Sequence, residues 1–314
     1  MVTAAKAADP AAGPSPLNDT VLEGQLFGYF AAAAASARVL DLDAARIHSS
    51  FGLALMQATG SMQVVLDGDP PAKAVYAAFS NHGGLLSALL ARNGLGARIA
   101  AFEGRAGLFG LFVAGRWEPT ELGRGLGEDY RLLNVKFKPW PSSGVTHPFI
   151  KAALELGTVS PAEVRHIRLR GGPHARHWFE PQEDRRRPTT AAAAANSIFY
   201  VVARALATGS VGLEDFTPQA VAAPAPLVER MTYTLEEPLG SSAIVEVETR
   251  DGQTRTAQFG TPPGGGEISM TEADLVRKFM DCAKFAARPV DAERIVENVL
   301  DLDRQPDMAR LLGE

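Results

Sequence analysis

The stretch KFKPWPSSGVTHPFIKAALELG, residues 136–157, gathers residue types that handle a carboxylate. Lys136 and Lys138 project from the polar side of an alternating run, Pro139 and Pro141 stiffen the turn after it, and Pro148 stands where a first helical turn begins. Thr146 or His147 then falls at the helix cap, so the free N–H groups of the helix start and the Lys138 ammonium address one region. Such a place suits a carboxylate; the plainer alternative is a solvated lysine beside a capping histidine. Lys73 stands at the start of another helix, its stem able to lie along that helix while its ammonium reaches a neighbouring cleft. Tyr200, off the stripe made by Val201 and Val202, either packs at a domain seam or donates a hydrogen bond into a site. His82 falls close to the apolar face of the Lys73 helix, where a histidine is more often packed than catalytic.

Arg165 to Arg187 holds seven arginines together with His166, His174 and His177. A zinc site at His174 and His177 lacks a cysteine or an acidic ligand at metal spacing, and a nucleic-acid patch lacks interleaved aromatics, so a solvated basic edge is the expectation. No GxxxxGK[ST] or GxSxG run occurs, which removes support for nucleotide hydrolysis and serine-hydrolase chemistry. With one cysteine, Cys282, no intrachain disulfide or cysteine zinc site can form, and a reducing, cytoplasmic setting is expected. The net charge of -5 argues against nucleic acid or an anionic membrane as partner and leaves a small molecule or a protein.

The elements that must position these residues follow from periodicity. At 314 residues, 46% hydrophobic and 21% charged, the chain can build a sizeable core in roughly two domains. Residues 1–20 read as a loose tail without a signal-peptide core, and the alanine-rich run from Phe27 to Leu40 is too short and too weakly apolar to span a bilayer. Glu23 to Leu40 predicts a closely packed helix, Asp43 caps a second, and Val75, Phe79, Leu86, Leu89 and Leu90 form the stripe of a third. From about Tyr130 the period changes: alternation over Leu133–Lys138 predicts a strand, as do Val164–Arg170, Arg230–Glu236, Ala243–Arg250 and, after the Asp251-Gly252 turn, Gln253–Phe259. Helices are expected at Pro148–Leu156, at Thr190–Ala207, and again after Thr271 and Asp274, with Leu275, Phe279, Cys282 and Ala286 apolar. The order is that of a mostly helical α+β protein: an all-α domain (21–129) interrupted by a smaller α+β lid (130–268), with 269–314 returning to the helical domain.

Four blocks in this order, GQLFGYFAAAAASARVLDLD, KAVYAAFSNHGGLLSALLARNGLGARIAAFEGRAGLF, KFKPWPSSGVTHPFIKAALELG and RPTTAAAAANSIFYVVARALATGSVGLEDFT, resemble the MmgE/PrpD superfamily. That superfamily includes 2-methylcitrate dehydratase, cis-aconitate decarboxylase and iminodisuccinate epimerase. The resemblance implies an all-α domain with an α+β lid, and a lyase or isomerase acting on a small di- or tricarboxylate without metal or cofactor. By position it makes Lys73 and Lys138 carboxylate anchors, His147 an acid or base, Tyr200 an auxiliary proton donor, and Lys138 part of the catalytic set. Tyr76 and Ala78 stand where the family block around Lys73 has histidine and glycine. Helices that precede the first block in the family have no counterpart here. The chain is therefore expected to form a homo- or hetero-oligomer through its helical domain, with a second chain completing the site. The alternatives are a degenerate carboxylate-binding or scaffold homologue and a truncated gene product.

Overall fold

The structure is a computed structural model that describes residues 20–66, 75–130, 135, 137–260 and 270–304. The chain divides into two compact units, Met1–Asn134 and Val135–Glu314. The first is helical: α1 (Glu23–Val39), α2 (Ala44–Leu55), α3 (Tyr76–Arg92) and the short α4 (Leu108–Phe112). Asp43 caps α2 as its sequence position suggests, its carboxylate accepting the Arg46 N–H at 2.8 Å.

Small residues, more than large ones, bring α1 and α3 together. The buried face of α3 is Ser80, Gly83, Gly84, Ser87, Ala88 and Ala91. A Cβ on Gly84 would stand 2.7 Å from the Ala33 nitrogen and the Tyr29 carbonyl oxygen, so only glycine permits this approach. Part of the expected stripe of α3 is thereby turned outward: Phe79 is 58% exposed, and Val75 and Leu86 are exposed too, while Leu89 and Leu90 are half-buried. His82 is exposed with them. The stripe failed as a guide because close backbone packing selects small side chains over apolar ones. The bulk of this core comes from Leu26, Phe27, Phe30, Leu108 and Phe109, and burying each large side chain stabilises the unit by about 2 kcal/mol.

The second unit is built on a four-stranded sheet of order β2-β1-β3-β4, with β1 (Val164–Gly171), β2 (Met231–Leu235), β3 (Ala243–Thr249) and β4 (Thr254–Phe259). β1 and β2 are parallel, so the chain between them crosses over through α6 (Ala191–Ala195) and α7 (Ile198–Thr208); α5 (His147–Leu156) precedes β1. β3 and β4 form the hairpin that Asp251-Gly252 signals, with Gly252 at φ +87°. Ile167, Leu169, Val245 and Val247 point into a core shared with Phe149, Phe179, Phe199 and Val202. α7 is apolar almost all round and is buried almost all round.

Two expectations for this unit change. Within the expected strand 133–138, Val135, Phe137 and Lys138 lie in no strand and are exposed, while 133, 134 and 136 lie outside the described residues. Alternation marks a strand only when a neighbour accepts its hydrogen bonds; here Phe137 instead lines an apolar groove with Leu275, Phe279 and Val299. The helix expected over Thr190–Ala207 is two helices, because Ser197 leaves the helical path to cap α7, its Oγ accepting the Tyr200 N–H at 3.0 Å.

α8 (Glu272–Lys284) and α9 (Ala292–Leu300) follow. The Thr271–Asp274 pair closes a reciprocal cap on α8: Thr271 Oγ1 accepts the Asp274 N–H at 3.2 Å and Asp274 accepts the Thr271 N–H at 3.0 Å. The protein is thus mostly helical α+β. Among the described residues no helix is long and apolar enough to cross a membrane.

Candidate active site

Proline spacing makes residues 138–147 a tight strap. Between Pro139 and Pro141 the chain folds back, with the Ser142 N–H on the Trp140 carbonyl at 2.8 Å; Ser143 N–H then ties the strap to the Ala195 carbonyl at 2.9 Å. A single 3-10 turn, Gly144–Thr146, leads into α5, with Pro148 in its first turn. Thr146 stands at the N-cap position without capping: its hydroxyl bonds the Ser142 hydroxyl and the Ser143 carbonyl, both at 2.8 Å. The strap is cross-linked to itself, and it carries His147 on its end.

His147 is only 6% exposed and stands at right angles to Trp140, with ring centroids 5.3 Å apart. Burial first, then the charges of Lys138 and, more weakly, Lys278, push its pKa down to about 4, while hydrogen bonds to the Ser142 and Trp140 carbonyls pull the other way. The imidazole is therefore neutral near pH 7. Its Nε2 is buried with no hydrogen-bond partner. A buried polar atom left unpaired costs about 1–3 kcal/mol, so its persistence calls for a reason.

Two ammonium groups frame this strap. Lys138 Nζ donates to the Ser142 carbonyl at 3.3 Å. Lys278, from α8, donates to the carbonyl of Lys138. Beside them opens a cleft of about 570 Å³, lined by Trp140, Pro141, Arg277, Lys278 and Cys282 among others. Trp140 thus both borders the cleft and packs on His147. Trp140, Ser142 and Lys278 were not singled out from sequence. The first two lie inside the block that was; Lys278, 140 residues from Lys138, had no local signal.

Tyr200 occupies a different environment. It is 2% exposed, and its hydroxyl donates to the backbone carbonyl of Asp215. The Asp215 carboxylate in turn accepts from Arg204 Nε at 2.7 Å, from a second Arg204 nitrogen, and from the Gly212 N–H at 2.8 Å. Burial raises the Tyr200 pKa, Arg204 opposes that, and Asp215 adds to it. The structure therefore brings Lys138 and His147 together and gives Tyr200 to a second, closed network. Lys73 lies outside the described residues; Tyr76 is the first residue of α3 and Ala78 is exposed there.

The arginines of the 165–187 segment are paired. Arg170 forms a two-point ion pair with Glu236 at 2.8 Å, which with Thr234 holds that carboxyl down to about 2. Arg168 pairs with Glu246, Arg165 with Glu248, and Arg187 with Glu229. Arg186 donates to the carbonyls of Val228 and Met231 and lies 4.4 Å from the Phe199 ring centroid, and Arg185 is 3% exposed. Arg165 and Arg168 tie β1 to β3, Arg170 ties β1 to the residue after β2, and Arg186 and Arg187 tie the crossover to the start of β2. His174 and His177 join no metal-holding trio: among the described residues no three His, Cys, Asp or Glu side chains cluster in that way.

Residues 11–120 match the MmgE/PrpD N-terminal domain and residues 140–303 match the MmgE/PrpD C-terminal domain. The chain is 29% identical to a cis-aconitate decarboxylase-like protein of Aspergillus oryzae, over 92% of this chain and 64% of that one. It is 24% identical to a cis-aconitate decarboxylase of Aspergillus terreus, over 96% of this chain and 65% of that one. The chain thus spans somewhat under two thirds of the length of these curated relatives.

Proposed function

The chain belongs to the MmgE/PrpD family, and from that premise we propose that it serves a lyase of dehydratase or decarboxylase type acting on a small di- or tricarboxylate such as cis-aconitate. The observation that carries this reading is the buried, unpartnered Nε2 of His147 beside the ammonium groups of Lys138 and Lys278. Lys138 holds a substrate carboxylate by a charge-assisted hydrogen bond. His147, neutral at physiological pH, moves a proton between Nε2 and a carbon next to that carboxylate. In dehydration the neutral Nε2 takes the proton as hydroxide departs, and in decarboxylation the carbon that loses carbon dioxide takes a proton from a solvent water hydrogen-bonded to Nε2, leaving hydroxide. The ammonium stabilises the negative charge that develops on the carboxylate in either direction.

Tyr200, its hydroxyl already committed to the Asp215 carbonyl, is given a holding role for α7 rather than a proton-donating one. Lys73 is kept as a second carboxylate anchor on the strength of its family position. The test is thermal stability of the purified chain with cis-aconitate, citrate or succinate against chloride at equal ionic strength, followed by turnover. A ligand present at a hundredfold excess over its Kd adds about 2.7 kcal/mol to stability. We expect a saturable rise with at least one tricarboxylate, lost in His147→Gln or Lys138→Met. No rise with any of these acids, alongside a rise with nucleotides or divalent metals, overturns the reading.

A further inference from the structure

We infer that Lys278 is a positioning residue for the His147 site: from α8 it clamps the carbonyl of Lys138 and so fixes the strap whose Trp140 packs against the imidazole. That role rests on taking His147 as the group that moves the proton. The geometry is a chain of three links. Lys278 Nζ donates to the Lys138 carbonyl. Lys138 Nζ closes over the next turn onto the Ser142 carbonyl at 3.3 Å. The strap's Trp140 then packs against the ring at right angles, with centroids 5.3 Å apart.

The strap needs such an outside hold. On its C-terminal side it is tied by the Ser143 bond to Ala195 and by α5 itself; on its N-terminal side, Pro139 and Pro141 offer no N–H with which to pair. Lys278 supplies that hold from a helix whose own start is locked by the Thr271–Asp274 cap. Its flexible stem lies between the cleft of about 570 Å³ and the apolar groove of α8 and α9, both of which it lines. An ammonium spent on a neutral carbonyl keeps its full positive charge beside the ring, where a carboxylate partner would have cancelled it. Among the described residues, the charges that act on His147 are those of Lys138 on the strap and Lys278 on α8.

The experiment compares the full chain with Lys278→Met and Lys278→Arg variants, using histidine ring resonances assigned through His147→Gln and titrated without ligand. Lys278→Met keeps helix propensity and stem volume while removing donor and charge. We expect its His147 midpoint to rise toward the ordinary value, since the Lys278 charge helps hold it down, and Lys278→Arg, which keeps a long cationic donor, to restore the wild-type midpoint. In turnover, Lys278→Met should lower kcat at least tenfold with KM changed less than threefold, again rescued by arginine. An unchanged His147 midpoint in Lys278→Met overturns the inference, as does a kcat that arginine fails to rescue. Should Lys278→Met not fold, hydrogen exchange at the Ser142 amide is measured in Lys278→Gln, whose shorter side chain falls short of the carbonyl: faster exchange than in the wild type supports the clamp, and an unchanged rate overturns it. The ligand-free titration is independent of substrate. If the wild-type chain turns over no polycarboxylate while the midpoint still moves, the functional reading fails and the clamp stands.

Discussion

Two buried polar clusters in the second unit, one around His147 and one around Tyr200, differ in a single respect. In the Tyr200 cluster the donors and acceptors meet: hydroxyl to the Asp215 carbonyl, Arg204 and the Gly212 N–H to the Asp215 carboxylate, Ser197 to the Tyr200 N–H. In the His147 cluster one nitrogen is buried and left over, with two cations nearby. A closed network fixes a core; an open one keeps a valence for something that is not protein. Residue type does not separate the two, since a buried tyrosine and a buried histidine are equally good catalytic candidates on paper. Hydrogen-bond accounting does.

The largest effect should come from breaking the closed cluster. Asp215→Ala leaves the Arg204 guanidinium without its partner and the Gly212 N–H unmet, a loss of about 3 kcal/mol measured by urea unfolding. A loss below about 1 kcal/mol would mean the network is not the brace described, since an exposed ion pair contributes no more than that. The mirror experiment on the open cluster is His147→Gln. It removes the orphaned nitrogen, so stability should stay within about 1 kcal/mol while turnover falls by about a hundredfold or more. Equal losses of stability in both variants would erase the distinction between the clusters.

How much of this was legible beforehand follows the range of the interactions. The 136–157 block announced itself because Lys138, Trp140 and His147 are neighbours in sequence and prolines fix the path between them. The Asp251-Gly252 hairpin and the Thr271–Asp274 cap are equally local, and the structure has both where the sequence puts them. The outward Phe79 face of α3 was not legible, because the glycines that set the packing are matched to a helix far away in sequence. Lys278 was invisible for the same reason. Its role exists only once α8 stands beside the strap.

A smaller effect distinguishes the clusters by pH. His147 titrates at about 4 in the fold and at 6.5 in the unfolded chain, so between those values the unfolded state binds more protons. Stability is therefore full above pH 6.5 and falls as pH drops toward 4, by about 2 kcal/mol once solvent screening is allowed for. His147→Gln should flatten that part of the profile of unfolding free energy against pH. A wild-type curve with the same slope as the variant between pH 6.5 and 4 would show that the histidine is not held neutral by its surroundings.

The smallest and most discriminating change is Tyr200→Phe. It removes one hydroxyl from the closed cluster and leaves the ring, packed against Phe216 at 6.0 Å between centroids, in place. The Asp215 carbonyl loses a donor while its carboxylate keeps Arg204 and Gly212, so the cost should be about 1 kcal/mol of stability. If Tyr200 only braces α7, kcat and KM should both stay within twofold of wild type once the lower stability is compensated by assaying at lower temperature. A fall in kcat of about a hundredfold with stability intact would be the signature of a lost proton donor. It would mean that the hydroxyl leaves the Asp215 carbonyl when substrate binds, and that the two clusters work as one site.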